Sequence, residues 1–89
     1  MKHVNIRISG KVQGVFFRAS AKEQADHYGV KGFVRNDFNG DVYMEVEGDE
    51  DQLKVFLQWC ARGPSRAHVE NVNVEESALR NFAFFEVRR

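Results

Sequence analysis

Alternation of apolar and polar residues marks the strands of this chain before any composition is counted. Val4, Ile6 and Ile8 alternate with His3, Asn5, Arg7 and Ser9, the period of a strand with one face against a core and the other in water. From Ala19 to Tyr28 the chain is rich in helix formers. Phe17, Ala21, Ala25 and Tyr28 fall on one side and Lys22, Glu23 and Asp26 elsewhere, so a first helix is expected, closed by Gly29. Lys31 to Phe38 and Asp41 to Gly48 are β-prone runs joined by Asn39-Gly40, which predicts an antiparallel hairpin with a type I′ turn. In the second run Val42, Met44 and Val46 face one way while Tyr43, Glu45 and Glu47 face the other, so again only one sheet face is expected to be covered.

Asp49 precedes a second helix, with Gln52 three residues on in a box-like arrangement and Glu50 and Asp51 favourably placed against the helix dipole. Leu53, Phe56, Leu57 and Cys60 give that helix an apolar face, and Gly63-Pro64 ends it. Val69 to Val74 predicts a further strand in which Val69 is out of phase with Val72 and Val74, as a bulge or a displaced boundary would produce. Phe82 to Arg88 predicts a short final strand. The order β-α-β-β-α-β plus a short C-terminal strand implies an α+β, ferredoxin-like sandwich: one domain over residues 1–89, an antiparallel sheet with two helices on one face. Such a fold carries many functions and implies none by itself.

Composition narrows the partners. With 89 residues there is room for one core. Apolar residues at 43% and charged residues at 29% suit a soluble protein, and 13 basic against 13 acidic residues leave no net charge, which argues against a general nucleic-acid or anionic-membrane binder. Cys60 is the only cysteine, so neither a disulfide scaffold nor a cysteine-rich metal site is available. No signal peptide or membrane span is apparent, and a cytoplasmic protein is expected. No surplus apolar strip demands a partner, so a monomer is expected.

Candidate chemistry centres on Gly10-Lys11-Val12-Gln13-Gly14-Val15-Phe16-Phe17-Arg18. Two glycines between a strand and a helix let backbone N–H groups converge at a helix N-terminus, where an anion is favoured, and Arg18 brings a permanent cation that matches a phosphate or carboxylate. The same residues also suit an ordinary tight turn with a solvated arginine. Asn36, at the end of the second strand, can hold a water through its donor and acceptor; it also suits a turn.

Gly10-x-Val12-Gln13-Gly14-Val15-x-Phe17-Arg18 and Gly32-Phe33-Val34-Arg35-Asn36-x-x-x-Gly40-x-Val42, followed by Gly48, resemble the paired signatures of the acylphosphatases. The resemblance extends to Gly63-Pro64, Ala67-x-Val69 and the Phe85-Glu86-Val87-Arg88 ending. It implies a hydrolase, needing neither metal nor cofactor, that cleaves small-molecule acyl phosphates into a carboxylate and inorganic phosphate. It further implies Arg18 and Asn36 as the catalytic residues, and the backbone of Gln13, Gly14, Val15, Phe16, Phe17 and Arg18 as the phosphate-binding loop. Phe16, where many bacterial members carry glycine, is a permitted variant of that pattern.

The residues support that chemistry independently. Phosphoryl transfer through a loose transition state is catalysed mainly by positioning and electrostatics. Neither motif contains a His, Asp or Glu to protonate a leaving group, which suits an acyl phosphate, whose carboxylate leaves unaided, and not an alkyl monoester. Lys31 to Phe38 echoes an RNA-binding strand, but Arg35 stands where that pattern needs its second stacking aromatic. An acylphosphatase-like regulatory domain that binds without turnover is another reading; a chain standing alone with both motifs favours catalysis. His3, His27 and His68 lack ligand spacing and are expected at the surface. Cys60 is expected in the core. Phe33, Phe56, Phe82, Phe84 and Phe85 are expected to pack.

Overall fold

The computed structural model describes residues 1–89. Its elements are β1 (Lys2–Lys11), α1 (Phe17–Tyr28), β2 (Lys31–Asn36), β3 (Val42–Gly48), α2 (Glu50–Arg62), β4 (His68–Ser77) and β5 (Phe85–Val87). The strands form one sheet in the order β4-β1-β3-β2-β5. Its first four strands pair antiparallel, and the short β5 adds to β2 in parallel. The expected sandwich and its short fifth strand are therefore present.

The alternating residues place the core. Val4, Ile6, Ile8, Val42, Met44 and Val46 are buried in one cluster with Ala21 and Ala25 of α1 and Leu53, Phe56, Trp59 and Cys60 of α2. Both helices thus cover the same face of the sheet. Trp59 takes a place in the α2 face that the sequence assigned to Leu57, which is only partly buried. Burial pushes the Cys60 thiol far up, as an apolar site does to a thiol that must stay neutral.

Four expectations change. Strand β4 runs on to Ser77, and the out-of-phase Val69 comes from a bulge, since Ser9 pairs Asn71 while Gly10 pairs Val69. At that step a Cβ on Gly10 would stand 2.2 Å from the His68 carbonyl oxygen, so only glycine fits. The hairpin is not type I′, because Gly40 has φ 96° but Asn39 does not enter positive φ. Instead the Gly40 N–H donates to the Asp37 carbonyl (3.1 Å) and the Asp37 N–H to that of Asp41 (2.9 Å), which makes a three-residue loop ending in a left-handed glycine.

The outer face of the sheet is also not simply wet. His3 and Glu47 are each only 1% exposed, because the segment between β4 and β5 folds over them. Glu47 accepts backbone N–H groups from Arg80 (2.5 Å) and Phe82 (3.1 Å) and bonds the His3 ring at 2.8 Å. His3 is therefore a buried structural residue and not a surface one. Phe84 also departs from expectation, being 64% exposed, whereas Phe33, Phe56 and Phe85 are buried.

Candidate active site

The loop between β1 and α1 is pinned by its valines. Val12 and Val15 are buried, while Gly14 and Phe16 face outward. Gly14 (φ 74°) and Phe16 (φ 64°) both take the left-handed region, an alternation of the kind that can aim successive backbone N–H groups at one point. Helix α1 starts at the end of this turn with no side-chain cap and no acidic residue in its first turn. Its first N–H groups are left without an intrahelical acceptor and carry the positive end of the helix dipole.

A cleft of about 350 Å³ opens at this point, lined among others by Gly14, Phe16, Arg18, Asn36 and Val87. Of the sequence-predicted residues, Gly14, Phe16, Phe17 and Arg18 line the cleft together with Asn36, the last residue of β2, while Gln13 and Val15 do not. The Asn36 Oδ1 atom is buried and has no hydrogen-bond partner in the protein. A buried acceptor normally finds one, and leaving it bare disfavours the fold. Asn36 lines the same cleft as Arg18 and the start of α1.

Three supports of the site lie outside what local sequence reasoning found. The Gln13 side chain ties the loop to the hairpin, donating from Nε2 to the carbonyls of Asp37 (2.7 Å) and Asp41 (2.9 Å). That tie fixes the loop against the end of β2, where Asn36 sits. Asp37 is itself held by Arg7 and Arg35. Burial pushes its carboxyl up, yet the hydrogen bonds from the two guanidinium groups outweigh this and hold it below the usual carboxylate range. The third support is the C-terminal strand: Arg18 donates from Nη1 to the Arg88 carbonyl at 3.1 Å, and the Arg88 N–H is anchored on the Val34 carbonyl at 2.8 Å. A parallel strand joining residues about fifty apart leaves no local signal beyond its own apolar residues.

The arrangement can bind a tetrahedral anion and hold a water beside it, through backbone donors, one fixed cation and one neutral amide. The chain is similar to known proteins over nearly its whole length. The family model described as Acylphosphatase matches residues 4–87. The acylphosphatase of Nocardioides sp. is 44% identical over 85 residues, covering 96% of this chain and 86% of its own. That of Methylococcus capsulatus is 42% identical and covers 100% of this chain and 98% of its own. The crystal structure of acylphosphatase from Bacillus subtilis superposes with a TM-score of 0.97 at 31% identity, over 100% of both chains.

Proposed function

The chain belongs to the acylphosphatase family and hydrolyses acyl phosphates to a carboxylate and inorganic phosphate, and we propose that Arg18 and Asn36 divide that reaction between them. In this reading the backbone N–H groups of Gln13, Gly14, Val15, Phe16, Phe17 and Arg18 cradle the phosphoryl oxygens together with the Arg18 guanidinium. Asn36 orients a water for attack on phosphorus, the bond from phosphorus to the acyl oxygen breaks, and the carboxylate leaves unprotonated. The water proton passes to a phosphate oxygen, since no His, Asp or Glu lines the cleft. The observation that carries the assignment is that Asn36, Arg18 and the uncapped start of α1 line one cleft.

The reaction uses no metal or cofactor, and the chain acts as a cytoplasmic monomer without nucleic acid or membrane. No helix is long and apolar enough to cross a membrane. Phe33, the aromatic that an RNA-binding strand would offer to a base, is buried beneath the Arg88 guanidinium, 3.9 Å from its ring centre. That cover supports a reading without nucleic acid.

Hydrolysis of benzoyl phosphate in excess chelator, with an alkyl phosphate monoester as control, tests the chemistry. Turnover of the acyl phosphate alone is expected, with no enzyme group titrating near neutrality in the pH–rate profile. Arg18→Gln is expected to raise KM and lower kcat, whereas Asn36→Ala lowers kcat by roughly 10²-fold with little change in KM. Full turnover by Asn36→Ala would return that residue to a turn-forming role.

A further inference from the structure

The phosphate cradle accounts for the backbone of Phe16 but not for its side chain. Its φ of 64° places a residue with a Cβ in the left-handed region, which is unfavourable for any L residue and more so for a bulky one. Packing does not offset this, because the side chain is 72% exposed. Gly14 meets the same backbone demand without a side chain. A strained aromatic held out at the mouth of a site has its compensation elsewhere, and a bound ligand supplies one.

Arg18 and Asn36 give the cleft its polar side chains, while Phe16 and Val87, itself 41% exposed, give it exposed apolar surface. With the phosphoryl group held by Arg18 and the loop, and the water on Asn36, in-line displacement sends the acyl group to the side away from Asn36. We propose that the Phe16 ring, on the loop across the cleft from Asn36, packs on that acyl group, so that the cleft selects acyl phosphates with an aromatic or extended apolar acyl part over acetyl or carbamoyl phosphate. The inference rests on the placement of phosphate and water given above.

The test is the ratio of kcat/KM for benzoyl phosphate to that for acetyl phosphate, in which any change at the phosphate cradle common to both substrates cancels. Phe16→Gly suits the observed φ, so it should fold with a thermal midpoint at or above that of the wild type. Its ratio is expected to fall roughly fivefold or more, mostly through KM for the aromatic substrate, and Phe16→Tyr should restore it. An unchanged ratio in Phe16→Gly, or a loss that Phe16→Tyr fails to restore, overturns the proposal. Failure of the wild type to turn over either substrate would overturn the underlying reading of the site and this inference with it. Wild-type turnover of both with no effect of Phe16 on the ratio would overturn this inference alone.

Discussion

The cradle at the start of α1 and the His3–Glu47 cluster on the outer face of the sheet are both built from polar groups, used in opposite ways. At the outer face, Glu47 accepts two backbone N–H groups and the His3 ring, and the far side of that ring lies 2.8 Å from Asn5 Oδ1. Glu45 borders the cluster, its Oε1 at ion-pair distance from His3 Nε2 (3.4 Å) and Arg80 Nε (3.7 Å) but without a hydrogen bond of its own. In the cradle, by contrast, Asn36 Oδ1 is bare and the first N–H groups of α1 have no cap. Most of the outer-face cluster is thus satisfied within the protein, Glu45 Oε1 excepted, whereas Asn36 Oδ1 and the start of α1 find no partner there.

The largest effect that separates the two regions is on stability. Glu47→Ala would leave two backbone donors and an imidazole buried without their acceptor, and breaking such a buried arrangement costs about 3 kcal/mol or more. Thermal unfolding should move down by more than 10 °C on the scale of about 4–8 °C per kcal/mol for a domain of this size. Strand β5 keeps its anchors, the Gly32 N–H on the Phe84 carbonyl (3.0 Å) and the buried Phe85, so kcat of the folded protein should stay within a few-fold. Asn36→Ala should do the reverse. Its loss of roughly 10² in rate corresponds to about 2.7 kcal/mol in the barrier, while removing an unsatisfied buried oxygen leaves the melting temperature unchanged or raises it. Equal destabilisation by both substitutions would abolish the distinction.

This contrast explains which parts of the molecule were legible in the sequence. The cradle is local: glycines at 10 and 14, a change from strand to helix period, and Arg18 at the turn of the helix all lie within nine residues. The His3–Glu47 cluster joins residues 44 apart and needs a third segment to cover it. Alternation along β1 and β3 could only assign those side chains to the outer face, which was correct, and not say that the face would be roofed. Asn39-Gly40 misled for a similar reason. Asp37 is gripped by Arg7, Arg35 and Gln13, and those tertiary contacts set a longer loop than the dipeptide prefers.

A smaller effect, with a defined sign, comes from pH. Burial pushes the Glu47 carboxyl up, but the Arg80 N–H, the His3 ring and the Phe82 N–H together outweigh it, and the group stays below the ordinary carboxylate value. The unfolded chain, with Glu near pKa ~4.3, therefore takes up this proton first as the solution is acidified. Glu47's contribution is complete above that pH and disappears as pH falls through the lower native value, with a slope of at most about 1.4 kcal/mol per pH unit. Asp37 is shifted in the same direction and steepens the same acid limb. Unfolding curves between pH 2.5 and 7 should show wild type and Glu47→Gln drawing together as the acid limb is descended, because protonation there removes the charge that the substitution lacks. A gap between the curves that widens in acid would show that the Glu47 charge is not what the cluster uses.

The smallest effect brings the contrast down to two helix starts in one fold. Helix α2 is closed at its N-terminus: the Asp49 N–H donates to Gln52 Oε1 at 2.8 Å, the Asp49 side chain accepts from the Gln52 backbone, and Glu50 and Asp51 face the dipole. Asp49→Ala removes one acceptor from a capped helix and should cost about 1 kcal/mol, a fall of about 4–8 °C in melting temperature, with kcat and KM for benzoyl phosphate unchanged. Helix α1 has no such acceptor to lose, and its open N–H groups should respond to ligand instead. Inorganic phosphate, the product, is expected to raise the melting temperature of wild type and of Asp49→Ala by the same increment, and that of Arg18→Gln by less, since only binding to the folded state adds stability. If Asp49→Ala melted with the wild type, an uncapped helix start would cost this fold nothing, and the bareness of α1 would no longer mark it as the place kept for phosphate.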